Sequence, residues 1–439
     1  MRTLLLVTLI TTALVACQPT DTAPTDAAET AEVASTAAAA PTPAATYTLE
    51  PWLLPTPANA AQPDLVVAPD GSLLLAWIAA AAEGHALQFA RYRDGEWSAA
   101  RGIAHGDDWF VNWADTPHLI ATADGALWAH WLQKSAAATY AYDVALVRSD
   151  DDGKSWSEPL LVNDDGTPTE HGFVSLWPAS DDSLGIAWLD GRATAGGSHA
   201  AHAGGGMMTL RSARFDPQLA RSDETVIDAS ACDCCQTDAA PTARGPLLVY
   251  RDRTAEEIRD IAVTRLEDGR WTTPETVHAD RWTMPACPVN GPSVDARGTE
   301  VLVGWYTAAG GIPVLKIARS SDAGDSFAPP VEVDTGAAVQ GRVDVALGDR
   351  AAWVLWTRED DSGQSLQLAR YSPDLSTQLQ RIEIAGLQGR GRGTGVAQLV
   401  LADDAVHVAW TDVVDGKPQL HGAVLRGSEA TGPAELAAR

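Results

Sequence analysis

Thiols carry the widest chemistry in this sequence. Cys232, Cys234 and Cys235 form a tight Cys-x-Cys-Cys group, and Cys287 follows in a separate segment. With Met207, Met208, Met284, His171, His199 or His202 as neighbours, these sulfurs would make a soft-ligand site suited to copper(I) and less to zinc. In an oxidising compartment they would pair instead. Four cysteines allow three pairings and an adjacent pair closes awkwardly, so the expected bridge runs from Cys287 to the Cys-x-Cys-Cys loop. A second set is cationic: Arg192, Arg251, Arg253, Arg259, Arg342, Arg390 and Arg392. Forked guanidinium donors suit carboxylate, sulfate or phosphate, so a converging subset would bind an anionic ligand. The competing reading is ion pairing with Asp252, Glu256, Glu257, Asp260 and Asp344 that merely fastens loops. Trp109, Trp113 and Trp282 offer faces for sugar rings, or act as loop anchors.

These residues belong to an acidic chain of 439 residues, with 58 Asp plus Glu against 31 Lys plus Arg and a net charge of −27. That charge repels phosphate backbones and anionic headgroups, which excludes nucleic acid as a partner. Hydrophobic residues make up 45% of the chain, enough for a sizeable core. Length alone gives a prior of about three domains at ~150 residues each, although one large β propeller is equally compatible.

The amino terminus reads as an export signal: one cation, the apolar run Leu4 to Val15, then small residues. Leu14-Val15-Ala16-Cys17 resembles the lipobox of bacterial lipoproteins, which implies cleavage after residue 16, lipidation of Cys17 and, with Gln18 next, an outer-membrane anchor. Residues 17–46 are Ala-, Thr- and Pro-rich without Lys, Arg or aromatic side chains, and read as a disordered tether. The folded domain is expected over 47–430, as a monomer held to the membrane only by its lipid, with a polar tail over 431–439.

A repeat organises the rest. Short apolar strands ending in an aromatic recur at Trp77, Trp131, Trp188, Tyr250, Trp305, Trp356 and Trp410, spaced 54, 57, 62, 55, 51 and 54 residues apart. A period near 55 suits a propeller blade of four short strands, and the alternating pattern with Gly/Asp turns makes the class all-β. The last unit has three strands, and Tyr47 to Pro55 could supply the fourth and close the ring. Seven blades are therefore expected, with six blades plus an irregular strand pair as the alternative.

Two turns, Ser149 to Trp156 (SDDDGKSW) and Ser320 to Phe327 (SSDAGDSF), resemble the Asp-box (BNR repeat) of sialidases. The resemblance implies a sialidase-like propeller and, with it, exo-glycosidase chemistry from a Tyr/Glu pair and an acid–base Asp. Tyr250 or Tyr306, Glu170 or Glu257, and Asp115 are the residues that could be compared with that set. The family's opening F-R-I-P arginine has no counterpart, since the first blade reads QPDLVVAPDG.

In a propeller, loops leading into the innermost strands and loops leaving the second strands emerge on one face. Nearly every Cys, His, Met and clustered Arg falls in those two sets of loops. The function expected is thus binding of an anionic ligand, a glycan foremost, at the channel mouth, with sialidase-type cleavage or, alternatively, a non-enzymatic copper or protein-binding role for the cysteine cluster.

Overall fold

The computed structural model describes residues 47–195 and 206–427. The expected signal segment, Cys17, the whole tether, the polar tail, His199 and His202 lie outside the described residues. Seven antiparallel sheets follow one another along the chain as the blades of a propeller. Blade 1 comprises Ala60–Val67, Leu73–Ala80, His85–Arg93 and a broken outer strand, Glu96–Trp97 and Arg101–Gly106. Blade 7 contains Gln398–Ala402, Ala405–Val414 and Lys417–Gly427, and takes its fourth strand from Tyr47–Trp52. Six register pairs, from Tyr47 with Gly427 to Trp52 with Gly422, close the ring as the sequence pattern predicts.

Burial explains the strand patterns. Second strands such as Leu73–Ala80 and Leu184–Asp190 are apolar and buried almost throughout, because a neighbouring blade covers each face. Outer strands such as Arg221–Asp228 are polar and partly exposed. Trp77, Trp188, Trp305 and Trp356 are fully buried at the ends of second strands. Three of their indole N–H groups find carboxylates, Asp190, Asp280 and Asp334, at 2.8, 2.7 and 2.8 Å.

The Ser149 to Trp156 turn is held by its own side chains. Ser149 Oγ accepts the Gly153 N–H, and the Ser155 hydroxyl, followed by the Ser155 backbone N–H, the Ser149 hydroxyl and the Lys154 N–H, donates to Asp151 and holds its carboxyl well below the usual range. Gly153 has φ +74°, and a Cβ there would meet the Phe89 ring at 2.4 Å. The turn can therefore press blade 2 onto blade 1, where Trp156 donates to the Gly102 carbonyl.

The innermost strands are joined by a belt of side chains round the axial channel. Asp64 accepts the Leu119 N–H at 2.7 Å, Asp115 that of Phe173 at 2.7 Å, Asp238 that of Val294 at 2.8 Å, Asp295 that of Leu347 at 2.7 Å and Asp344 that of Leu399 at 2.6 Å. Ser175 with Thr237 spans blades 3 and 4, and the Gln62 N–H reaches Thr411 in blade 7. All seven joints are thus bonded.

Trp52 tests the closure. It is buried among Tyr92, Trp97 and His407, joining the first described strand to blades 1 and 7. Trp52→Ala should cost about 3–5 kcal/mol and lower the melting temperature by on the order of 10 °C in a thermal scan. A change within about 2 °C would mean that ring closure does not depend on this strand.

Candidate functional site

One cavity of about 700 Å³ opens among the lead-in loops. Its wall draws Trp113 and Asp115 from the loop into blade 2, Glu170 from the loop into blade 3, Cys234 from the loop into blade 4, Cys287 from the loop into blade 5 and Arg392 from the loop into blade 7. Second-strand exits add Met207, Met208 and Arg253. A separate axial channel of about 520 Å³ is lined by the acidic belt and by Arg342.

The cavity holds a buried hydroxyl between two carboxyls. Tyr142 Oη donates to Glu170 Oε1 at 2.7 Å and lies 3.1 Å from Asp115 Oδ2. Tyr142 opens the third strand of blade 2, Tyr142–Ser149, and its N–H bonds the Thr169 carbonyl, so strand pairing brings it beside Glu170. Phe110 stacks on its ring at 4.1 Å. Gly172 is what lets the cluster close, because a Cβ there would stand 2.1 Å from Asp115 Oδ2 and 3.0 Å from the Tyr142 ring. Burial raises the Asp115 carboxyl to about 7, against the opposing bonds from Phe173 and Tyr142. Burial also raises Glu170 to about 8, and the nearby Asp115 and Cys287 push it further. At neutral pH the cluster therefore retains protons that ordinary carboxylates have lost, and Tyr142, buried beside both acids, is held well above its usual value.

The carboxylates Asp115 and Glu170 meet at this cavity, but not on the tyrosines considered from sequence. Tyr250 is buried and donates to Asp228, and Tyr306 packs against Trp282 at 5.6 Å. Neither lines the cavity. Glu257 is consumed by Arg253 and Arg259 at 2.7 and 2.9 Å. Tyr142 belongs to a third strand and lies outside the repeating aromatic positions of the second strands. Its signal is an aromatic residue at the start of a third strand, facing the lead-in loop of the next blade.

The arginines divide. Arg253 lines the cavity with its guanidinium on Asp233 and Glu257. Arg392, exposed and 5.6 Å above the Trp113 ring, has no ion-pair partner among the described residues. Arg342 approaches the same ring from the channel side at 4.9 Å and donates to Thr394 and the Gly395 carbonyl. Arg251 is fully buried, spends its donors on the carbonyls of Asn290, Arg259 and Tyr306, and stacks on Trp282 at 4.9 Å. Arg192 pairs with Asp190 and Arg390 with Glu359, so both fasten loops. Trp109 is buried against Trp131 at 5.4 Å and serves as an anchor, whereas Trp113 keeps a face at the cavity.

The cysteines correct the expected pairing. Cys232 bridges Cys235 inside the loop, across a Cys-x-x-Cys spacing, and Cys234 and Cys287 remain free thiols. Cys287 nevertheless lines the same cavity wall as Cys234. The interaction of the two thiols raises Cys234 and lowers Cys287 to about 7, with Arg259 and Arg253 adding to the lowering. Met208 is buried in the core and Met207 is half-buried on the cavity wall. His171 is fully buried on Asp143, Asp165 and the Tyr142 carbonyl, where it braces the strand rather than joining the sulfurs.

No protein-family model and no curated protein matches the chain. Solved structures do. The polysaccharide lyase Uly1 is 7% identical with a TM-score of 0.52, over 84% of this chain and 90% of that one. The endosialidase of phage phi92 is 10% identical with a TM-score of 0.50, over 88% of this chain and 70% of that one. The likeness is one of fold.

Protonated carboxyls in the folded state make stability depend on pH. Unfolded carboxyls titrate near 4, so above that value the unfolded chain has released protons that Asp115, Glu170 and Asp344 still hold, the last raised to about 7 by burial. Stability is then lost as pH rises through 7 and 8. His130 and His407, lowered by burial, act in the opposite sense only below about 6.5, whereas Cys287, lowered to about 7, offsets part of the loss above that value. Between pH 6.5 and 8.5 the melting temperature should fall by on the order of 5 °C, and less in an Asp115→Asn, Glu170→Gln variant. A flat or rising profile would show that these carboxyls are ionised when folded.

Proposed function

We propose that this propeller, exported and lipid-anchored through Cys17, binds an acidic glycan in the 700 Å³ cavity and cleaves its glycosidic bond in sialidase fashion. The observation that carries the reading is the Tyr142 hydroxyl held between Glu170 and Asp115. Glu170 takes the hydroxyl proton as Tyr142 Oη attacks the anomeric carbon, and Asp115 protonates the departing oxygen. Arg392 meets the sugar carboxylate and Trp113 stacks on the ring. The turns at Ser149 and Ser320, with their Asp-box resemblance, support the propeller fold that this reading requires and not the chemistry itself. So do the two propellers of similar trace, a polysaccharide lyase and an endosialidase, as relatives in fold.

The protonation states set the working range. Asp115 must hold its proton and Glu170 must have lost one, and with values of about 7 and about 8 that combination peaks between them. The two titrate as a pair, so the profile reports the cluster rather than either acid alone. Release of the reporter from a fluorogenic sialoside should follow a bell centred near pH 7.5. Tyr142→Phe should lower kcat/KM by about 10³-fold, whereas Arg392→Ala should raise KM about tenfold with kcat nearly unchanged. Absence of turnover across a panel of sialosides, or an unsaturated product, would overturn hydrolysis by this cluster.

A further inference from the structure

The same cavity carries sulfur chemistry that glycan cleavage does not use. Cys234 and Cys287 come to one cavity wall from the lead-in loops of consecutive blades, and both are free thiols. The Cys232–Cys235 bridge folds the first loop so that the intervening Cys234 faces the cavity, while its own two sulfurs are buried. Gly291 lets the second loop come close, since a Cβ there would lie 2.2 Å from the Gln236 carbonyl oxygen. Met207 lines the same wall.

We propose that Cys234 and Cys287 bind copper(I) as a bis-thiolate, with the Met207 thioether as a third ligand. Thiolate and thioether sulfurs are the donors that select cuprous ion among the common metals. Binding one Cu⁺ displaces both S–H protons, so two H⁺ leave and the complex carries a single negative charge. Arg253 and Arg259 act electrostatically on Cys287 and oppose that charge, and Arg259 is fixed by Cys232 Sγ at 3.3 Å and Glu257 at 2.9 Å. Zinc(II) asks for a closed tetrahedron of four N or S ligands. With Cys232 and Cys235 consumed in their bridge, two thiolates and one thioether remain among the described residues, which suits a low-coordinate monovalent ion better. The site stands independently of glycan cleavage, because none of its ligands belongs to the Tyr142 cluster.

The test is an anaerobic titration of the full chain carrying Cys17→Ser, with copper(I) in competition with the chromophoric chelator bicinchoninate. One equivalent should bind. Cys287→Ser should weaken the apparent affinity about 100-fold, Met207→Leu about tenfold, and Met208→Leu should leave it unchanged. Cys287 is exposed, so its substitution spares the fold, and a thermal scan of each variant checks this. Sialoside turnover measured on the same preparations separates failure of this site from failure of the carboxyl cluster. Copper retained in a Cys234→Ser, Cys287→Ser double variant would overturn the assignment. So would displacement of copper by an equivalent of zinc, or an affinity no tighter than that of the double variant.

Discussion

The structure depends on hydrogen bonds that run between blades rather than within them. Sheets stacked face to face round an axis share apolar contact, which is non-directional and leaves each blade free to slide along its neighbour. Asp64, Asp115, Asp238, Asp295 and Asp344 remove that freedom, because each accepts a backbone N–H from the next inner strand at one register. A slip would leave a buried carboxyl and a buried amide both unpaired, a loss of roughly 1–3 kcal/mol for each group. The lead-in loops are thereby fixed in height at the channel mouth. Asp115 carries two duties at once, since one oxygen holds the Phe173 N–H while the other meets Tyr142.

Much of this architecture was legible in the sequence. Aromatic residues at Trp77, Trp188, Trp305 and Trp356 mark second strands because only a large side chain fills the gap between adjacent blades, and all four are fully buried. Ring closure was legible too, as a missing fourth strand at one end and an unattached strand at the other. The belt of carboxylates was harder to see. An Asp within or just ahead of an inner strand looks like a turn residue, and only the distance to the next blade reveals that it spans a joint.

The site was legible as a neighbourhood and less so as a set of partners. Lead-in loops converge by topology, so Asp115, Glu170, Trp113, Cys234 and Cys287 could all be placed at one face from spacing alone. Pairing inside that face depends on fractions of an ångström. Tyr142 comes from a third strand, and its place beside Glu170 follows from the pairing of its N–H with Thr169. Among the arginines, Arg251 and Arg392 look alike in sequence. Burial against three carbonyls makes one a strut, and exposure above an indole leaves the other as a charge on the cavity wall.

The cavity also inverts the electrostatics of the chain around it. A protein of net charge −27 would repel an anion on approach, yet the acids nearest this cavity are the ones that burial keeps protonated at neutral pH. Asp233 and Glu257 remain as counterions, and each is matched by the guanidinium of Arg253. The local balance then falls to Arg392 and to the thiol pair, whose charge varies with what the sulfurs hold. Negative charge on Cys287 raises Glu170, so charge on the sulfurs and a proton on the carboxyl support each other in one low-dielectric space. The charge of this cavity is set locally, by burial and by pairing, and not by the acidic exterior.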